Sequence, residues 1–111
     1  MKLFWTETAK TDLVSIRRFI AADNPNAAKK WIAHLRDRVR NILPVPESGR
    51  MVPEFYREDI RELIEGNYRI DYQVFTDRIV VLTVFEGHRL FPERSMPDGK
   101  INKGKNENLS V

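Results

Sequence analysis

The sequence predicts an α+β domain, ordered β-α-α-β-β-β, with a helical hairpin packed on one face of a twisted, mainly antiparallel sheet. Three observations carry this prediction. Residues 9–42 hold two apolar stripes at helical spacing, separated by Asp23-Asn24-Pro25. Residues 61–89, RELIEGNYRIDYQVFTDRIVVLTVFEGHR, alternate at strand period and are broken by two short turns. The stretch between, PVPESGRMVPEFYRED, holds three prolines and one glycine, too many for a continuous element.

Lys2 to Trp5 is rich in β-formers and reads as a short first strand. Thr6 or Thr8 then offers a side-chain oxygen to an unpaired first-turn amide. Ala9, Leu13, Ile16 and Ile20 share one face of the first helix, while Arg17 and Arg18 point elsewhere. Asn24 is placed to cap a second helix, and Pro25 suits its first position because proline lacks the amide that would go unpaired there. Ala28, Trp31, Ile32, Leu35, Val39 and Ile42 form the buried stripe of that helix, which ends before Pro44 and Pro46. The very short connection makes the helices an antiparallel hairpin. At about 100° per residue, Lys29, Arg36 and Arg40 share a flank beside the stripe, with Arg38 on the other side. That flank is either a solvated helix face or an electrostatic footprint.

In the irregular stretch, Val52, Phe55 and Tyr56 are expected to pack onto the body, and Arg50 follows a turn at Ser48-Gly49. The meander then runs Arg61 to Ile64, turn Glu65-Gly66-Asn67, Tyr68 to Phe75, turn Thr76-Asp77, and Arg78 to Glu86. Treating Thr76-Asp77 as a two-residue turn pairs Val74 with Ile79, Tyr72 with Val81, Ile70 with Thr83 and Tyr68 with Phe85. One face is then uniformly apolar and seals the hairpin. The other is expected to show Arg69, Asp71 and Gln73 beside Val80, Leu82 and Val84 without a cover, the kind of contiguous apolar surface that meets a partner.

The length of 111 residues fits one domain with a modest core, expected over residues 1–92, followed by a polar and mobile tail at 93–111. Leu90-Phe91-Pro92 is expected to tuck against the body. The absence of cysteine removes disulfides and Cys-type zinc sites. No run approaches the roughly 18 apolar residues of a membrane span, and the opening shows no signal-peptide pattern, so a cytoplasmic protein is expected. A net charge of +3 and a pI near 9.4 favour acidic partners, either nucleic acid or an acidic protein segment.

Several motifs carry a resemblance: W-x-x-x-A-x-x-D-L-x-x-I at Trp5 to Ile16, N-P-x-A-A from Asn24, S-G-R-x-V-P-E from Ser48, R-E-L-I from Arg61, Y-R-I-x-Y from Tyr68, and V-F-E-G-H-R ending at Arg89. In this order the chain resembles the RelE/ParE superfamily of type II toxin–antitoxin toxins, also called plasmid stabilisation proteins. The resemblance implies a parallel first strand and a cognate antitoxin, encoded by an adjacent gene, that wraps the toxin. No cofactor, metal or membrane partner is expected. Arg61, Asp71, Gln73, Leu82, Arg36, Arg40 and Arg50 are the partner-binding candidates.

The superfamily has two branches with different targets. RelE-like toxins cleave ribosome-bound mRNA, which requires a base, an acid and a cation for the phosphorane charge. Arg69 and Arg89 match the two arginine positions of that branch, and guanidinium suits the cationic role. His88, Glu54 and Glu62 are the candidates for proton transfer. Ile60 and Glu62 stand where those nucleases carry a basic pair, and Ser95 where they carry a tyrosine. ParE-like toxins inhibit DNA gyrase by binding and lack the nuclease set. The departures, with R-E-L-I and the V-P-E loop, favour gyrase inhibition over mRNA cleavage. Arg69 beside Asp71 and Glu62 also has a plain reading as a cross-strand salt-bridge ladder. A small nucleic-acid-binding module would use the basic helix flank, but no helix-turn-helix or RNA-binding signature is present. A metal-dependent enzyme is weaker still, because His34 and His88 are the only histidines and neither sits at ligand spacing.

Overall fold

Local chemistry sets the helix boundaries where the sequence places them. The computed structural model describes residues 1–87, comprising β1 (Lys2–Trp5), α1 (Glu7–Ala21), α2 (Pro25–Arg40), a 3₁₀ turn (Pro46–Ser48), β2 (Arg50–Met51), β3 (Ile60–Glu65), β4 (Tyr68–Val74) and β5 (Arg78–Glu86). The Thr6 hydroxyl oxygen accepts from the Ala9 amide at 3.0 Å, and Asn24 Oδ1 accepts from the Ala27 amide at 3.0 Å. Each satisfies a first-turn donor that the helix itself cannot.

The sheet order is β1-β5-β4-β3-β2, with β1 parallel to β5 and all other pairs antiparallel. The apolar β5 is central, flanked by β1 and β4, which explains why it is apolar on both faces. Leu13, Ile16, Leu35 and Val39 of the hairpin meet Leu63, Ile70, Tyr72, Ile79, Val81 and Val84 of the sheet in the main core. Gly66, at φ 60°, opens the two-residue loop between β3 and β4, where glycine carries no steric penalty.

The register departs from the expected one halfway along β4. Val74 pairs with Ile79 and Tyr72 with Val81, but a β-bulge between Asp71 and Tyr72 then shifts the ladder by one residue. Ile70 therefore faces Val84 rather than Thr83, and Tyr68 faces Glu86 rather than Phe85. As a result, Val84 joins the main core, while Phe85 pairs with Arg69 on the opposite face. A bulge leaves backbone groups without ladder partners. Here α1 and its cap supply them: Asp12 Oδ2 accepts from the Val84 amide at 3.0 Å and from Thr83 Oγ1 at 2.6 Å, and Thr6 Oγ1 donates to the Leu82 carbonyl at 2.9 Å.

The face turned away from the helices is also covered, contrary to the sequence expectation. Val52 and Phe55 of the 52–59 loop pack with Ile60, Val80 and Leu82 in a second apolar cluster. Tyr56 does not join them. Its left-handed backbone, φ 51°, accompanies a side chain that is 85% exposed. On the opposite side of the chain's Ser48-Gly49 turn, the buried Tyr72 hydroxyl accepts from the Gly49 amide at 2.9 Å and donates to the Pro46 carbonyl at 2.8 Å. A Cβ at Gly49 would lie 2.5 Å from that hydroxyl and 2.6 Å from the Glu62 carbonyl, so only glycine fits.

Candidate functional site

The register aligns acids across the middle of the sheet. Arg50 on β2 pairs with Glu62 on β3, and Glu62 pairs with Asp71 on β4. Two carboxylates directly opposite each other repel. Arg69, two residues from Asp71 and on the same side of β4, lies between them. Its Nε donates to Asp71 Oδ1 at 3.1 Å and its Nη2 to Asp71 Oδ2 at 3.2 Å. Nη2 also donates to both oxygens of Glu54, at 3.1 Å each. Glu62 Oε1 lies 2.7 Å from Arg69 Nε without the alignment of a hydrogen bond, and Glu62 Oε2 accepts from Arg50 Nε. The Arg69 guanidinium sits 4.9 Å over the Phe85 ring, a contact that the bulge makes possible.

Burial governs the electrostatics of this cluster. The Asp71 and Glu62 side chains are fully buried, and 8% of the Arg69 side chain is exposed. Burial pushes the Asp71 carboxyl up to about 7, helped by the charges of Glu62 and Glu54 and opposed by its bonds to Arg69. Burial also works against the charge on Arg69, but Asp71, Glu62 and Glu54 outweigh it and hold the guanidinium above its ordinary range. The cluster can therefore bind or release a proton near neutrality while Arg69 stays charged. As arranged, Arg69 is committed to its own chain: Nε and Nη2 are both directed at the carboxylates of Asp71, Glu54 and Glu62.

The other expected site residues fall in three environments. Asp71 and Leu82, expected on a partner-binding face, are buried and present no surface to a partner in this conformation. Arg61 donates to the Glu58 and Gly49 carbonyls at 2.8 and 3.2 Å, and Gln73 donates to Asp59 at 2.9 Å. Arg36 lies 5.9 Å over the Trp5 ring, and Arg40 pairs with Asp37 at 2.6 Å. Arg50 keeps 67% of its side chain exposed at the sheet edge despite its bond to Glu62. His88 and Arg89 lie outside the described residues, as does the expected tail at 93–111. Among the described residues, no group of acids and histidines is placed to hold a metal ion, and no helix is long and apolar enough to cross a membrane.

A second polar junction, which the sequence reading did not assign, ties α2 to the β3–β4 turn. Glu65 accepts from Arg38 at 2.8 Å and lies 2.6 Å from His34 Nε2. The His34 bond, with Arg38, holds the Glu65 carboxyl below the usual range against the opposing effect of burial. Trp31 stacks on His34, with centroids 5.3 Å apart, and rests beside Gly66. Spacing within α2 could have flagged His34 and Arg38 as neighbours, but nothing local pointed to Glu65.

Comparison with known proteins gives this architecture a family. The family model described as "ParE toxin of type II toxin-antitoxin system, parDE" matches residues 3–91. The chain belongs to the ParE toxin family. A protein of Sinorhizobium fredii (strain NBRC 101917 / NGR234) named "Putative toxin Y4kP" is 31% identical over 94 residues, covering 83% of this chain and 94% of that protein. A solved structure titled "Chromosomal ParDE TA system from P. aeruginosa" superposes with a TM-score of 0.64 at 24% identity, covering 78% of this chain and 95% of the other. At that identity the likeness shows the fold, which is the two-helix, five-strand arrangement described above. Membership of the ParE family makes the chain the toxin of a type II module and implies an antitoxin partner.

Proposed function

We propose that this ParE-family toxin inhibits DNA gyrase by protein contact and does not cleave RNA. The observation that carries this reading is the state of Arg69. The arginine that would grip phosphate in an RNA-cleaving relative is here packed against Asp71, Glu54 and Glu62, so it balances internal charge instead of facing a substrate. The neighbouring positions support the same conclusion. Ile60 is fully buried and Glu62 nearly so, and neither can serve as a basic, solvent-facing proton carrier. One observation favours the alternative of ribosome-dependent mRNA cleavage: a carboxyl near pH 7 is matched to proton transfer. That carboxyl belongs to Asp71, which is 0% exposed and out of reach of a substrate.

Arg50 and Met51, exposed on the edge strand β2, are offered to an acidic, amphipathic antitoxin segment. Because gyrase and its DNA are cytoplasmic in a bacterium, the toxin is placed in that compartment. The proposal is tested by titrating the purified chain into a gyrase supercoiling reaction. Supercoiling should fall as toxin approaches the enzyme concentration and recover when the antitoxin is added. Undiminished supercoiling at a large molar excess of folded toxin contradicts the proposal.

A further inference from the structure

The formal charge of the described chain is divided between its two halves. Residues 7–41, which form the helical hairpin, carry eight Lys and Arg against four Asp and Glu, a net +4. Residues 42–87, which form the loop and the meander, carry five against nine, a net −4. The modest overall charge therefore conceals a strongly polarised molecule.

Lys10, Arg38 and Arg40 of the hairpin pair with Glu7, Glu65 and Asp37, but four other cations are not neutralised in the way that Arg69 is. Arg17, Arg18, Lys29 and Lys30 are exposed, and among the described residues none of their side chains has a hydrogen bond or ion pair. They are also level with one another. Arg17 and Arg18 sit three to four residues before the end of α1, and Lys29 and Lys30 sit four to five residues after the start of antiparallel α2. Arg36 and Arg40 continue the Lys29 flank along α2, over about 16 Å at 1.5 Å per residue. Arg36 and Arg40 are exposed, and one acid of the hairpin, Asp37, is engaged by Arg40.

We infer that the outer face of the helical hairpin is a docking surface for duplex DNA, held through the phosphate backbone without reading sequence. A stripe of exposed cations about 16 Å long, joined at one end by Arg17 and Arg18, matches a polymer that carries one phosphate per about 1.7 Å of helix axis. Duplex is favoured over single strands because single strands are held on stacking aromatic platforms. The hairpin exposes only one large aromatic among the described residues, Phe19. Such docking adds a second contact to the proposed action on gyrase, an enzyme that works with DNA bound, and presents the acidic half of the toxin away from the nucleic acid. It needs no gyrase for its own test, so its failure leaves the target assignment untouched.

The test is fluorescence anisotropy of the full chain with a labelled 20-base-pair duplex of arbitrary sequence, from 50 to 200 mM salt. Four phosphate contacts give a log–log salt slope of about −3.6, and so an affinity loss of about a hundredfold over that range. Arg17→Gln/Arg18→Gln and Lys29→Gln/Lys30→Gln should each flatten the slope by about 1.8, with circular dichroism showing both folded. A slope that the folded variants leave unchanged, binding absent at 50 mM salt, or polyglutamate competing as well as unlabelled duplex would each overturn the assignment. The last of these would make the surface one for acidic protein.

Discussion

The helical hairpin and the sheet-side cluster use the same cation in opposite ways. On the hairpin, Arg17 and Arg18 stand in solvent with no side-chain partner among the described residues, and α1 and α2 pack on the sheet through their apolar stripes. On the far side of the sheet, Arg69 is almost wholly buried and is what allows Glu62 and Asp71 to face each other across β3 and β4. An arginine's meaning thus depends on what surrounds it. The exposed ones are free to meet another molecule, while the buried one is committed to its own chain.

The sharpest way to break that contrast is to remove the buried member. Arg69→Ala leaves Asp71 buried without its cation and Glu62 with Arg50 alone, and should cost about 3–5 kcal/mol in urea denaturation. A loss under 1 kcal/mol would mean that the cluster is dispensable. Gly49→Ala tests the same region by sterics alone. Its new methyl would meet the Tyr72 hydroxyl and the Glu62 carbonyl, so a loss of about 1–3 kcal/mol is expected. Asp12→Ala tests the link between the two regions. It strips the acceptor from the Thr83 hydroxyl and the Val84 amide at the bulge, and unfolding experiments should show about 1–3 kcal/mol.

The two regions should also respond to pH with opposite sign. Asp71 is raised in the folded state to about 7, so the folded chain holds its proton where the unfolded chain, near 3.9, has lost it. Its contribution is greatest at low pH and is lost as pH rises from about 4 through about 7. Glu65, which joins the turn to α2, is depressed. Its contribution is present above the unfolded value of about 4.3 and is lost as pH falls through its folded value. In Asp71→Asn the decline in stability toward pH 7 should flatten, whereas Glu65→Gln should flatten the acid limb. Thermal melts across pH 3–8 distinguish the two. The smallest effect is expected on the hairpin surface, where Arg17→Gln should change stability by no more than about 0.5 kcal/mol.

What could be read from the sequence follows from how local each cause is. Thr6 and Asn24 cap helices within three residues of themselves, and the apolar stripes of α1 and α2 repeat within one turn, so helix positions were visible. The last strand, with its apolar run on both sides, announced its central place. The bulge was not visible, because it is stabilised by Asp12 and Thr6, more than seventy residues from the groups they satisfy. Missing it reversed the faces of Val84 and Phe85. Gly49 read as a turn residue, but its necessity comes from the packed Tyr72 hydroxyl of a later strand. Glu54, Glu62, Asp71 and Arg69 were all legible as charged candidates. The cross-strand ladder of Arg69, Asp71 and Glu62 was readable from strand pairing, but the part of Glu54 was not, because the loop that carries it folds back over the sheet through Val52 and Phe55.

The central claim is that Arg69 serves the fold and that toxicity comes from contact with gyrase. The most direct measurement runs one toxin preparation through two reactions: gyrase supercoiling, and primer extension on mRNA held in translating ribosomes. Loss of supercoiling with intact mRNA is the expected result. Undisturbed supercoiling alongside new mRNA ends that disappear with a folded Arg69→Lys variant would contradict the account.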